Sequence, residues 1–538
     1  MRRRDQPKRP IALLLLLLIA LGSAFPYFEA IRNANERPRL MQGMALVETQ
    51  SWAIDGPAMR GLDTGPDVAR SPEDGRTYPN KPPGASVVAA FAFMVGKLVD
   101  AVLDRPFTLR DYTWWARMLA GLLPTLLLCL YARKRYPDLP DPAVASVGVV
   151  AYALATPAAS YAHLFYGHQL AAALLFVGVT LCVDAYEHQK VRIAAIGGAC
   201  AGAAVAVEYG AVFAGLPLGV MLLWGLHRRD GYKPLVAGLA GALVPIALLA
   251  AYQAAVYGSP WATGYHHASN PEFAAKHGVG LLGLTWPKLE NLHTHMFSHD
   301  GGLLWWSPLA AVGVYGLADL ALGNGARRTE ARLHLAIFLV MALVGTGLTF
   351  QGGWRVGPRY MVITLPGLTV GFCHAFARMR GNALALGGFV ALATYAVLVN
   401  AMAANLWPHL DLDNIHSPAG EVLAPLLADG FEPYGLPWLL DMAGSAWLPI
   451  AVSVFAMWWF VYRAVQATMP RVAALAAGAV LGAVAVWMLP LAFSPHPKGK
   501  RNLAYIENAY EPKPGSFQAP ESHRLDTPVA AILPPGGR

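Results

Sequence analysis

The sequence predicts an all-α polytopic membrane protein with about 13 transmembrane helices and long extracytoplasmic loops. Three observations predict it. Of 538 residues, 55% are hydrophobic and only 14% charged, and the mean hydropathy is +0.40, a balance typical of chains that bury apolar surface in lipid. Apolar runs of about membrane length recur along the chain, roughly 18–20 residues being enough for one helical crossing. The basic residues fall in short clusters between those runs. That placement sets membrane orientation, so the formal net charge of +8 gives no support to nucleic-acid binding.

The chain opens with MRRRDQPKRP and then IALLLLLLIALGSAF, a basic flank before an apolar core. This fits a secretory signal cleaved near Gly22-Ser23-Ala24 or an uncleaved anchor. The anchor is preferred, because the run extends to Phe28 and can span. The next apolar stretch, 85–101, is interrupted by Lys97 and Asp100. Further spans read as 114–131, 143–157, 170–186, 193–207, 211–226, 235–257, 303–322, 333–350, 361–377, 383–402, 447–462 and 472–493.

Basic clusters lie at 2–9, 133–135, Lys190 with Arg192, Arg228 with Arg229 and Lys233, Arg327 with Arg328 and Arg332, Arg378 with Arg380, and Arg463 with Arg471. Keeping all of them cytoplasmic requires an even number of crossings between neighbours. Every interval obeys this once 85–101 is read as re-entrant or interfacial. The resulting plan has a first transmembrane helix in 1–28 and a first extracytoplasmic loop with interfacial helices, expected to be catalytic, in 29–112. Transmembrane helices fill 113–257, a second outer loop 258–302, more helices 303–402, a third outer loop 403–446, the last helices 447–493 and an extracytoplasmic tail 494–538. The N-terminus is then cytoplasmic. Cys129, Cys182, Cys200 and Cys373 all lie in apolar runs, where none can staple an external loop. The richness in Ala, Gly and Leu points to a GC-rich bacterial genome and hence a plasma (inner) membrane. No internal repeat is visible, which weighs against an inverted-repeat transporter.

The chemistry concentrates in the polar stretch 35–84. It mixes Glu36, Glu48, Asp55, Asp63, Asp67, Glu73 and Asp74 with Arg37, Arg39, Arg60, Arg70, Arg76 and Lys81. Carboxylates able to take a proton thus lie near cations able to hold an anionic leaving group; a merely solvated loop is the competing reading. The topology places Arg117, His168, Glu208, Trp354, Arg355 and Arg359 on the same outer side. Each alone reads as an interfacial anchor. Together, Arg117, Lys81 and Arg359 would suit a lipid-linked phosphate whose chain lies in the bilayer. In the second loop, HTHMFSHD places histidines at i and i+2, which do not share a helix face, and no metalloprotease signature is present. No metal-site residue is assigned, and a divalent metal cofactor stays open. Trp286, Trp305, Trp306 and Trp354 read as an aromatic belt that can also stack on sugar. The third loop, with Asp411, Asp413 and His416, reads equally as an acceptor lid or a connection.

Asn35-Glu36 after the first span, YPNKPPG leading into an apolar helix, YARKRYPDLPDPAVASVGVVAYALATP, YGSPWATGY, GGLLWWSPLAAVGVYGL and GGWRVGPRYMVITLPGL together resemble the GT-C superfamily of glycosyltransferases. They are most similar to the protein mannosyltransferase and lipid A aminoarabinose transferase family, over roughly the first 370 residues. The resemblance implies a polyprenyl-phosphate sugar donor, an outer-loop carboxylate as general base and usually inversion at the anomeric carbon. The family's acidic pair falls on Asn35-Glu36 and its KPP lysine on Lys81. Asp often stands in the family where this chain has Asn35, so the base is not inherited by position. Glu36 is the first candidate, with Asp67, Asp63 and Asp55 in reserve. Lys81, Arg359, Arg117 and Arg355 are expected to bind the donor phosphate, and His168, Tyr78, His299 and Trp354 to contact acceptor or sugar.

The expected function is transfer of a single sugar from a polyprenyl-phosphate donor to an extracytoplasmic glycan, lipid or protein acceptor, in contact with membrane lipids. The alternatives are a transporter or flippase of a lipid-linked saccharide and a polyprenyl-diphosphate glycan ligase or polymerase. A flippase needs a polar path across the whole membrane, whereas the unusual charges here gather on the outer half.

Overall fold

A computed structural model describes residues 11–23, 33–58, 62–136, 142–227, 232–277, 279–280, 282–350, 352–431, 440, 442, 446–466, 468–510 and 529. Arg60, the basic stretch 2–9, Arg228 with Arg229, the end of the first apolar run at Phe28 and the tail beyond 510 apart from Val529 lie outside them.

Nine helices among the described residues are long and apolar enough to cross a membrane, and the chain is an integral membrane protein. Eight coincide with expected spans: α4 (Leu109–Arg135), α6 (His168–Glu187), α9 (Tyr232–Tyr257), α11 (Arg328–Gly347), α12 (Arg359–Met379), α13 (Ala383–Asn405), α14 (Trp447–Ala464) and α15 (Met469–Ala492). The ninth is α3 (Gly84–Val102), the stretch that charge parity sets aside. Five more expected spans are shorter apolar helices: α1 (Ile11–Gly22), α5 (Pro142–Leu154), α7 (Val191–Val207), α8 (Ala211–His227) and α10 (Leu309–Leu322). Helix length alone therefore does not fix the number at thirteen.

Local sequence explains several boundaries. Thr108 accepts from Asp111 N while the Asp111 carboxylate accepts from Thr108 N, a reciprocal cap that starts α4. Asn382 caps α13 through Leu384 N and Ala385 N. At Gly198 and Gly202 of α7 an added Cβ would meet the α9 backbone at Gly238 and Ala242, close packing of the small-residue kind common between membrane helices. The helix α2 (Arg37–Glu48) carries Pro38 in its first turn, where a missing N–H costs nothing. A side chain at its Gly43 would collide with the Tyr112 hydroxyl and Ala89, so α2 lies tight against α3 and α4. Toward the outside, α3 presents Val87, Phe91, Met94, Leu98 and Val102, and its Lys97 pairs with Glu48 of α2.

Charges gather at both ends of the bundle. At one end Arg135 pairs with Asp184 and with Glu330 at 2.9 Å, and Arg327 donates to the Arg135 carbonyl at 2.7 Å. There too Arg378 pairs with Asp319 at 2.7 Å and Arg471 reaches the Gly381 carbonyl at 3.3 Å. Four of the basic clusters thus share one end. The opposite ends of α4, α6 and α12 carry Arg117, His168 and Arg359, and there the loops converge.

Candidate active site

The polar loop between α2 and α3 folds into a short antiparallel pair, β1 (Val68–Arg70) and β2 (Thr77–Pro79). Segment 267–269 of the second loop adds to its edge: Arg70 N donates to His267 O at 3.0 Å and Ser269 N to Val68 O at 2.9 Å. The two loops therefore interlock. Their junction brings Tyr265 to Lys81, whose Nζ donates to the phenol oxygen at 3.2 Å and lies 4.6 Å from the ring centre. Tyr265 in turn stacks on His277, centroids 4.2 Å apart.

Beside this junction lies a cavity of about 280 Å³. Its polar lining is Asn33, Asn35, Asp67, Tyr166, Trp354 and Arg359, and its apolar wall includes Phe273 and Phe350. Asp67 stands just before β1, and its carbonyl accepts from Asn80 N at 3.1 Å, which fixes the approach of the strand. Its carboxylate lies 3.7 Å from Lys81 Nζ. Lys81 is buried behind it. Burial pulls the Lys81 ammonium down, against the attraction of Asp67 and with the repulsion of Arg359, to about 8.

Arg359 is only 6% exposed. Its guanidinium sits 5.9 Å from the Phe350 ring and 5.2 Å from the Tyr360 ring. Nη2 donates to Tyr360 Oη at 3.3 Å, while Nε is buried without a partner and the residue makes no ion pair among the described residues. A buried cation in that condition costs several kcal/mol unless something anionic joins it.

Glu36, the first candidate for the base, does not line the cavity. Arg117 grips it with two bonds, Nε to Oε1 at 3.1 Å and Nη2 to Oε2 at 2.6 Å, and Phe165 N adds a third at 2.7 Å. Burial opposes its charge, but Arg117, His409 and the Phe165 amide outweigh burial and hold the carboxyl below its ordinary value. The pair joins α4 to the loop at the end of the first helix, so Glu36 and Arg117 satisfy each other. Next to it, Arg39 meets Glu208 at 3.2 Å and also donates to the Tyr166 carbonyl. His168 Nδ1 lies 3.7 Å from Glu208 and its ring packs edge-on to Tyr161, Tyr166 and Tyr360. Gly167, at φ 84°, makes the left-handed turn that sets Tyr166 and His168 on either side.

The other expected residues scatter. Asp63 pairs with Arg37 and is mostly exposed. Asp55 accepts from Thr77 N at 3.0 Å and pins the start of β2. Tyr78 donates to Asp74 at 2.6 Å, and burial together with that carboxylate raises its phenol. Arg355 donates to Gly353 O at 3.0 Å and faces Asp413 at 3.6 Å, which ties its own loop to the third. His299 contacts the His416 carbonyl and packs 4.6 Å from the Phe493 ring. Thus Asp67, Arg359 and Trp354 line one cavity with Lys81 behind them, and the remaining expected residues do not.

Sequence reading missed Asn33, Tyr166, Phe273 and Phe350, and missed His409 of the third loop. Asn33 Nδ2 donates to His409 Nδ1 at 2.7 Å, and Tyr166 Oη donates to the Trp354 carbonyl at 3.3 Å. Burial lowers the His409 imidazole to about 4 against the pull of Glu36, so it is neutral and its Nδ1 accepts. Among the described residues no three His, Cys, Asp or Glu side chains converge as metal ligands.

No protein-family model and no curated protein matches the chain. Solved structures do. ArnT from Cupriavidus metallidurans bound to undecaprenyl phosphate is 16% identical with a TM-score of 0.43, over 87% of this chain and 77% of that one. Its apo state is 15% identical at the same TM-score, over 88% and 77%. The arabinosyltransferase EmbB from Mycobacterium smegmatis is 14% identical at 0.43, over 91% of this chain but 42% of EmbB.

Proposed function

We propose that the chain is a GT-C type glycosyltransferase that moves one sugar from a polyprenyl-phosphate donor to a hydroxyl acceptor on the extracytoplasmic side. The observation that carries this reading is a buried Arg359 that makes no ion pair among the described residues, lining the same cavity as the carboxylate of Asp67. A phosphate head group entering from the bilayer supplies the missing negative charge, and a guanidinium fork suits it.

The acceptor oxygen attacks the anomeric carbon and forms the new glycosidic bond as the carbon–oxygen bond to phosphate breaks. Asp67 takes the acceptor's proton, assistance worth about a hundred- to ten-thousand-fold. Polyprenyl phosphate leaves with the bonding electron pair, and Arg359 stabilises the charge that develops on it. Lys81 holds the Asp67 carboxylate in place. Asp67 replaces Glu36 as the base because the Glu36 oxygens are occupied by Arg117 and Phe165 N. One carboxylate on the described lining of the cavity suits direct displacement, with inversion of the anomeric centre.

In this reading residues 29–112 form the catalytic loop, with α3 lying along the outer face of the bilayer. The second loop locks it through Tyr265, and the acceptor is a glycan, lipid or protein. The test is mass spectrometry of nanodisc-embedded protein incubated with polyprenyl-phosphate sugars and membranes from cells lacking the gene. Transfer consumes donor and yields polyprenyl phosphate and a glycosylated product; a transporter would leave the donor intact. Loss of turnover in Asp67→Asn, with donor binding retained, assigns the base.

A further inference from the structure

Asn35 is 5% exposed, lines the cavity, and has a side-chain oxygen with no hydrogen-bond partner among the described residues. Its neighbour differs. Asn33 spends its amide nitrogen on His409 and Tyr166 and its oxygen on Asn35 N at 2.8 Å. That last bond fixes the Asn35 backbone, so its carboxamide is held at the cavity wall. A buried acceptor left unsatisfied points to a ligand donor. The nearest donors on a sugar are its hydroxyls.

Charge narrows the ligand further. Asp67 and Arg359 are the only ionisable carboxyl and guanidinium on the described lining, and Asp67 already faces Lys81. An ammonium on the sugar would find no carboxylate on the described lining except Asp67, which Lys81 already engages. A carboxylate on the sugar would compete with the phosphate for Arg359. Resting on the transferase reading above, we infer that Asn35 is a specificity residue that accepts a hydrogen bond from a sugar hydroxyl, and that the donor carries a neutral sugar.

The experiment uses the full chain in nanodiscs with three donors on one polyprenyl phosphate: a neutral hexose, a neutral pentose and a 4-amino-4-deoxypentose. Dissociation constants and polyprenyl-phosphate release are measured for wild type, Asn35→Ala and Asn35→Asp, each checked for a monodisperse profile. Wild type is expected to prefer a neutral donor over the amino sugar by about tenfold or more. Asn35→Ala should lose about ten- to a hundredfold in kcat/KM on the neutral donor, the scale of one buried hydrogen bond with its partner left unpaired. Asn35→Asp should shift the neutral-to-amino ratio at least tenfold toward the amino sugar. A wild-type preference for the amino sugar, or ratios unmoved by both substitutions, overturns the inference while the transferase reading stands. If wild type consumes no donor of any kind, the transferase reading fails and this inference falls with it.

Discussion

Replacing Arg359 with Gln separates a ligand-binding cation from a structural one. The protein gives this guanidinium two aromatic contacts, each worth about 0.5–1 kcal/mol, and one long hydrogen bond to Tyr360. Against that stands a buried charge with no ion pair among the described residues and an Nε left without a hydrogen bond. The terms nearly cancel, so folding stability should change by no more than about 1 kcal/mol and the melting temperature by a few degrees. Donor binding should respond quite differently. A guanidinium and a phosphate about 4 Å apart attract by about 4 kcal/mol at an effective dielectric of 20. With part of that spent on desolvation, about 2–3 kcal/mol is lost in the variant, or roughly 30- to 150-fold in Kd. The assay pairs donor titration in nanodiscs with thermal unfolding of the same samples. An unchanged Kd, or a melting temperature that collapses, would refute the reasoning, because either would make Arg359 part of the scaffold.

Asp67→Asn should lower kcat by about a hundred- to ten-thousand-fold with donor Kd within a few-fold, read from single-turnover transfer. Glu36→Ala should do the reverse, destabilising by about 3–5 kcal/mol through the stranded Arg117 while each folded molecule keeps most of its turnover; thermal unfolding and active-site-normalised rates check it. Lys81 supplies a pH dependence. Its folded value near 8 lies below the ordinary 10.5, so it loses its proton as pH rises through about 8, and kcat/KM should fall there. Between about 8 and 10.5 the unfolded chain binds the extra proton, so stability should rise with pH as activity falls; Lys81→Arg should remove the alkaline limb of the rate profile.

The membrane class and most span positions are legible in the sequence because hydropathy and length act locally. Grouping of basic clusters is legible too: Arg135 and Arg327 do meet on one carboxylate, Glu330. Charge parity says less about α3, where an apolar length fit for crossing and a lateral packing on α2 coexist. At the site, Asp67, Lys81 and Arg359 carry their chemistry in their residue types. What sequence cannot show is pairing at a distance. Arg117 is 81 residues from Glu36, and only the fold reveals that it occupies that carboxylate. Phe273 and Phe350 look like ordinary interfacial aromatics until two loops bring them to one cavity, and His409 gains meaning only through Asn33.

The most direct measurement is a structure of the nanodisc-embedded protein with polyprenyl phosphate. The account predicts phosphate density at hydrogen-bond distance from the Arg359 guanidinium, in the cavity lined by Asp67 and Asn35, with the prenyl chain leaving toward lipid. Density for the head group at any other place, with Arg359 still solitary, would contradict it.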